Sequence, residues 1–337
     1  MNFIDKILPE NLIYSIGWTI IHSFWQGAII SLLLIAFFTL VKTSSATKAK
    51  AAVIALGVMV ILFMVTFSLE MNSYENPQSI NNSLQTSAVG EVLSSAPAKS
   101  QGNNSEENIS SQFGIARELK YFLAQNISLL TFIWFAGFMF FTLRFLGGFY
   151  LIRKLKYTGT SFVPAFWQIR VNSLRYKLKI SRPVRMLESV NVSIPITIGY
   201  VKPVILMPIG MLTGLPANQI GAIIAHELAH IYRNDYLINI LQTVGEIILF
   251  YHPAAWWISS KIREERENSC DDLAVAYSGD KLIYAHALTN LEELKIKENQ
   301  FVLAIKKNKT VMNRVKRLFN TEFKETRFSE RLIALGI

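Results

Sequence analysis

The sequence predicts an α+β membrane protein, mainly α, in which N-terminal transmembrane helices lead into a cytosolic domain carrying a small β-sheet. Three observations carry this. Of 337 residues, 51% are hydrophobic and only 17% charged, with a mean hydropathy of +0.30, too apolar for a soluble enzyme of this size. The charge is also divided: residues 1–143 hold 7 Lys and Arg against 8 Asp and Glu, whereas residues 144–337 hold 27 against 16, so the second part carries +11 and the first −1. A basic half attached to apolar spans is what the positive-inside bias produces in the cytoplasm. Finally, the second half alternates helical apolar spacing with two short β-like runs. Basicity also suits nucleic-acid binding, but no nucleic-acid motif accompanies it, so no direct nucleic-acid partner is expected. The single cysteine, Cys270, excludes an intramolecular disulfide and a cysteine-rich metal site; it is expected as a small buried side chain at a helix contact.

Met1–Asn11 contains Asp5 and Glu10 and no basic n-region, which argues against a cleaved signal peptide. Residues 17–41 form the first expected span. They are interrupted by His22, Ser23, Trp25, Gln26 and Gly27, polar groups that read either as an interfacial anchor or as functional at membrane depth. A turn with Lys42, Lys48 and Lys50 precedes the second span, 51–69, which places that turn in the cytoplasm and the N-terminus outside. Residues 70–126, rich in Ser, Asn, Gln and Glu, read as a disordered external loop too polar to build a core. The third span, 127–152, ends in Arg144, Arg153, Lys154 and Lys156, which return the chain to the cytoplasm.

Residues 153–300 are the expected cytosolic domain. Pro164–Ile180 reads as an amphipathic helix with Phe166, Ile169, Leu174 and Leu178 on one side and Arg170, Arg175, Lys177 and Lys179 on the other, suited to an anionic bilayer surface. Strands are expected in 183–188 and 194–208. The prolines at 195, 203 and 208 confine the second run to a sheet edge or hairpin, and an edge strand can accept a peptide as an added strand.

The segment around which the domain is organised is Gly221-Ala-Ile-Ile-Ala-His-Glu-Leu-Ala-His-Ile-Tyr-Arg-Asn-Asp235. Ile220, Ile223, Ile224, Leu228 and Ile231 fall at helical spacing, and Pro216 suits the start of that helix. On it His226 and His230, four apart, leave the same face and can share one tetrahedral metal. Glu227 beside them is placed to act as general base for a water activated by that metal. Random placement of 5 His in this chain gives H-E-x-x-H on the order of 0.004 times, so two unrelated surface histidines are the weaker reading.

A third ligand is needed, and residues 263–274 on a following helix are the candidate source. The pattern Glu267-x-x-Cys270-Asp271-x-x-Ala274 resembles the second signature of gluzincin membrane peptidases. The resemblance implies Glu267 as third ligand, Asp271 as the brace of a ligand histidine, one Zn2+ ion and a gluzincin-like zinc peptidase domain. If Tyr236–Ser260 crossed the bilayer, the histidines and Glu267 would be separated by roughly 30 Å, and no ion could collect them. Residues 236–260 are therefore expected as a helical hairpin, membrane-dipping or packed on the domain, broken at His252-Pro253, with His252 either a capping residue or an oxyanion donor. His286 is a weaker candidate for any role.

With three spans and both motifs, the chain resembles the BlaR/MecR-type membrane zinc metallopeptidases, among whose members an early Trp-Gln is common in the first span. The resemblance implies an inner-membrane endopeptidase of bacterial type, cleaving itself and a cytosolic transcriptional repressor in signal transduction; the expected partners are a protein substrate and the lipid bilayer, with a homodimer left open. That family carries a penicillin-binding sensor domain. Here Ser45-Ala-Thr-Lys48 and Ser278-Gly-Asp-Lys281 match S-x-x-K without S-D-N or K-T-G, so both are chance matches and the sensor is not expected within this sequence. Three alternatives stay open: a quality-control or prenyl-protein type metallopeptidase, a site-2-type protease, against which the lack of a Leu-Asp-Gly motif speaks, and a scaffold whose zinc only stabilises the fold. The tail, 301–337, reads as a basic helix with Val311, Val315 and Leu318 on a membrane-facing side, and Arg331–Ile337 as the start of a further span.

Overall fold

The computed structural model describes residues 9–73, 126–298 and 304–319. Among the described residues there are ten helices and four strands: α1 (Glu10–Leu40), α2 (Ser45–Ser73), α3 (Ile127–Leu155), β1 (Thr160–Phe162), α4 (Ala165–Lys177), β2 (Arg185–Ser189), β3 (Ile196–Ile198), β4 (Val204–Pro208), α5 (Met211–Gly214), α6 (Ala217–Tyr232), α7 (Asp235–Ile248), α8 (Pro253–Ser278), α9 (Lys281–Glu298) and α10 (Ala304–Phe319). The external loop expected over 70–126 and the run Arg331–Ile337 fall almost entirely outside them. Two compact units result, one of Met1–Leu40, Ile54–Leu143 and Gly245–Ile258, the other of Val41–Val53, Arg144–Val244 and Ser259–Ile337.

Helices α1, α2 and α3 are long and apolar enough to cross a membrane, and no more than 22% of each apolar window is buried in the chain, which leaves most of that surface for lipid. All three are longer than the expected spans, because hydropathy marks only the apolar stretch and the helix runs on into polar flanks. In the first unit their contacts use small residues and inward polar groups, as helix pairs in lipid do. Thr131 donates to the carbonyl of Ile13 at 2.9 Å, and Gln26 donates to Thr66 at 3.0 Å. The polar cluster of the first span therefore divides. Ser23 and Gln26 point inward, while Trp25 donates to His22 at 3.1 Å on the more exposed side.

Residues 236–260 form two helices, α7 and α8, joined by the turn Leu249–His252. The turn is held within the first unit. Trp134 donates its indole N–H to the carbonyl of Ile248 at 3.2 Å, the Tyr251 hydroxyl lies 2.7 Å from that of Ser23, and the Phe250 ring fills the space beside Gly137.

The second unit holds a four-stranded sheet ordered β1-β2-β4-β3, with β2 and β4 parallel and the outer pairings antiparallel. Strand β4 is buried at Val204, Ile205, Leu206 and Met207, so the 194–208 run is a hairpin with one edge strand and one interior strand. Pro203 and Pro208 stand at the ends of β4, where a missing N–H costs least, and β3 is left as the edge. Strand β1 and the single turn α5 are too short to leave a periodic signature.

Two amphipathic readings are corrected by the burial pattern. In α4 the buried face is Trp167, Val171 and Leu174, continued by Leu178, whereas Phe166 and Ile169 are exposed; the sequence reading had mixed the two faces. Helix α10 does not spend its apolar side on lipid. Leu318 is buried, with Val311 and Val315 packed against the core of Ile220, Ile224, Leu228 and Tyr284, so the boundary expected at residue 300 does not separate a tail from the domain.

Candidate metal centre

Helix α6 carries His226, Glu227 and His230. It ends because Asn234 adopts φ 59°, a left-handed conformation that Asn tolerates, with the Arg233 N–H bonded to Ala229 and the Asn234 N–H to Ile231. Arg182 reaches over this end, donating to the Ile231 carbonyl at 3.1 Å and to the Asn234 side chain. The reversal returns Asp235, the first residue of α7, to the helix it has just left. Its Oδ2 lies 2.7 Å from His230 Nδ1. With Nδ1–H given to Asp235, His230 presents the lone pair of Nε2.

His226 is oriented by a longer chain of contacts. The Tyr284 hydroxyl, from α9, lies 2.8 Å from His226 Nδ1 and donates to Asp271 Oδ1 at 2.6 Å. Asp271 itself is fully buried, 3.4 Å from His226 Nδ1. Helix α8 contributes Glu267 from the same side: Oε2 is 3.6 Å from His226 Nε2 and Oε1 is 3.9 Å from His230 Nε2, while the two Nε2 atoms are 3.2 Å apart. One donor atom from each of His226, His230 and Glu267 lies within 4.8 Å of the other two. A tetrahedral ion with bonds of about 2.0–2.1 Å has ligand-to-ligand edges of about 3.3 Å, so this donor set fits a single zinc-sized ion with little adjustment.

Electrostatics match that geometry. Burial lowers the pKa of His226 but is outweighed by its hydrogen bonds to Asp271 and Glu267, and the value rises from 6.5 to about 9. Burial would raise Glu267, yet its hydrogen bond to His226 and the charges of His230, His226 and Arg314 hold it well below the usual carboxylate range. Asp271 is held low in the same way, first by Arg314 and then by His226. Burial, with the negative charges of Asp235 and Glu267, pushes the Cys270 thiol well up. Its Sγ packs 3.4 Å from both His230 Nδ1 and Asp235 Oδ2 at the α8–α6 contact.

Glu227 is nearly buried, and the Thr197 hydroxyl of edge strand β3 donates to its Oε2 at 2.7 Å. Both face a cavity of about 350 Å³ lined by His226, His230 and Glu267, by Ile194, Pro195 and Tyr200 of the β3–β4 hairpin region, and by Leu288, Val311 and Arg314. His252 is not among these residues. It lies in the other unit, where Nδ1 accepts the Ala254 N–H at 3.1 Å and Nε2 therefore donates to the Ser23 carbonyl at 2.9 Å. With both ring nitrogens committed it caps α8, and no N–H remains for an oxyanion. His286 is exposed on α9.

Four residues of the centre went unassigned in the sequence. Asp235 stands directly after the motif and was legible by its spacing of five from His230. Thr197, Tyr284 and Arg314 each sit in an element whose other residues gave it a different character: an apolar strand, an apolar helix face and a basic helix.

Long apolar helices thus accompany a histidine–glutamate helix to which a second helix brings a carboxylate. The chain belongs to the BlaR1 peptidase M56 family, whose model matches residues 22–318. It is similar to the regulatory protein BlaR1 of Bacillus licheniformis, with 28% identity over 138 residues, 40% of this chain and 22% of that protein. It is also similar to the methicillin resistance mecR1 protein of Staphylococcus aureus and Staphylococcus epidermidis, with 30% identity over 83 residues, 25% of this chain and 14% of that protein. The matched stretches thus span less than a quarter of these relatives. Among solved structures, Ste24p of S. mikatae aligns over 92% of this chain and 99% of its own at 12% identity, with a TM-score of 0.37 that carries no argument.

Proposed function

We propose that the chain is a zinc-dependent endopeptidase of signal transduction, anchored in a bacterial-type inner membrane with its second unit cytosolic, that cleaves a protein substrate, with itself and a transcriptional repressor as first candidates. The observation that supports this most is the meeting of His226, His230 and Glu267 around one point, beside a Glu227 that is not part of the ligand set.

His226, His230 and Glu267 would hold the ion. Zinc in that position polarises a peptide carbonyl and acidifies a water. The rest is done by the chain. Thr197 keeps one oxygen of Glu227 occupied and leaves the other for the cavity that Glu227 lines, where it would take the proton of the attacking water and pass it to the leaving amine. Asp235, and Tyr284 with Asp271, hold the two imidazoles with their lone pairs toward the ion. Among the described residues strand β3 pairs with β4 on one side only, and that edge suits the addition of an extended substrate backbone.

Glu227→Gln is expected to retain zinc and lose cleavage, and Glu267→Ala to lose zinc. Zinc content by plasma emission, beside comparison of the proteomes of cells carrying the native chain or Glu227→Gln, tests both; full metal content in Glu267→Ala would remove it from the ligand set. A zinc-stabilised scaffold is the second reading, and it requires a fourth protein ligand closing the site. The cavity in front of the three donors speaks for an open position.

A further inference from the structure

We propose that Arg314, on α10, is a positioning residue of the metal centre: its guanidinium fixes at once the hydrogen-bond chain that orients His226 and the carboxylate of Glu267. This rests on the metallopeptidase reading above. Arg314 donates to Asp271 through both edges of its fork, Nε to Oδ2 at 2.9 Å and Nη2 to Oδ1 at 2.5 Å. Nη2 also lies 3.5 Å from the Tyr284 hydroxyl, and Nη1 lies 3.6 Å from Glu267 Oε2. One side chain thereby touches three members of the site, at 16% side-chain exposure and on the wall of its cavity.

The consequence follows from counting protons. Tyr284 has one hydroxyl proton and gives it to Asp271, so toward His226 it can only accept. His226 must then carry its proton on Nδ1, which leaves Nε2 free for the ion. That logic holds only while Asp271 stays fixed as the acceptor. Asp271 has no solvent exposure, and its closest donors are Arg314 twice and Tyr284 once, with His226 Nδ1 farther off at 3.4 Å. Without Arg314 the carboxylate can turn, the Tyr284 proton is no longer committed, and His226 is free to take the other tautomer, which blocks Nε2. Glu267 loses its lateral restraint in the same step. A lysine could replace the charge but not the planar fork that spans two carboxylate oxygens while a third nitrogen faces Glu267.

The next turn of α10 provides an internal comparison. Arg317 pairs with Asp272 at 2.6 Å and donates to the Asn268 carbonyl at 3.1 Å and to Ser45 at 3.0 Å, so it ties α10 to α8 without touching the ligand set. The experiment compares the full chain in detergent with R314A, R314K, R317A, Y284F and R314A/Y284F. Zinc affinity is read by competition with a chromogenic chelator and metal-free stability by thermal unfolding. R314A is expected to weaken zinc binding by about 10–100-fold, the usual effect of losing a residue that orients a ligand. R314K should recover part of the loss, and the double variant should bind no more weakly than R314A alone, because both changes break one chain. R317A should lower the unfolding temperature and leave zinc affinity unchanged. Zinc affinity within twofold of wild type in R314A, or an equal loss in R317A, overturns the proposal. If R314A does not fold, R314K and Y284F decide it: both must weaken zinc binding, and normal binding in either overturns it. A wild-type chain that retains no zinc sinks the metallopeptidase reading itself and is separate from any difference between variants.

Discussion

Oδ2 of Asp235 lies 2.7 Å from Nδ1 of His230, a residue five positions earlier in the chain, across the end of one helix and the beginning of the next. The two motif helices bring together the three proposed ligands, but it is this short return that fixes which nitrogen of His230 is free. Asp235→Ala is expected to weaken zinc binding by about 10–100-fold while the chain stays folded. Chelator competition on the purified variant checks it, and unaltered affinity would show that the ring is oriented by something else.

The return depends on Asn234 at φ 59°. A β-branched side chain there meets the left-handed penalty of roughly 1–2 kcal/mol, and glycine does not. Asn234→Val should therefore unfold at a lower temperature than Asn234→Gly. Thermal unfolding in the same detergent gives the comparison, and an inverted order would mean that Asn234 acts through its bond to Arg182 alone.

Proton linkage at His226 has a definite sign. Its value in the metal-free protein is raised from 6.5 to about 9, so its proton stabilises that form fully below about pH 6.5 and is lost as the pH rises through about 9. Zinc needs the unprotonated ring, and loading near neutral pH should release close to one proton from this site. Titration calorimetry in buffers of different ionisation enthalpy reads the number directly. Heats independent of buffer would contradict it.

Thr197→Val removes the hydroxyl that donates to Glu227 at 2.7 Å but nothing that touches a ligand atom. Turnover should fall about tenfold, the scale of a hydrogen bond to a charged group, at full zinc content. Metal analysis and a cleavage rate from one preparation test both halves.

Within the first unit, glycines make room for the α7–α8 turn. A Cβ on Gly27 would run into the His252 ring and one on Gly137 into the Phe250 ring, whereas Gly57 has nothing within 4 Å. Gly27→Val and Gly137→Val should each lower the unfolding temperature by several degrees, and Gly57→Val should not. Equal stability of all three would mean that the turn has room to move aside.

What could be read from the sequence divides along physical lines. Spans, charge asymmetry and the H-E-x-x-H helix are local or periodic, and hydropathy and 3.6-residue spacing report them directly. Residues 236–260 fall in two helices, α7 and α8, with the break that His252-Pro253 signals between them. Thr197, Tyr284 and Arg314 are different, since each is defined by a partner far along the chain. Tyr284 reads as one more apolar position until its hydroxyl is found between His226 and Asp271. The charge of Arg314 was hidden among Lys316 and Arg317, and helix periodicity cannot say whether Val311, Val315 and Leu318 cover lipid or protein. The exchange of Phe166 and Ile169 for Trp167 and Val171 in α4 is the same ambiguity at smaller scale, a rotation of one to two residues about a helix.

Helix α10 also sets a schedule. The last of the three donors is residue 267, and the arginine that braces them is residue 314, 47 positions later. At about 5–20 residues per second, a ribosome makes His226, His230 and Glu267 several seconds before it makes Arg314. A nascent chain thus carries a loosely assembled centre until synthesis has gone beyond Arg314.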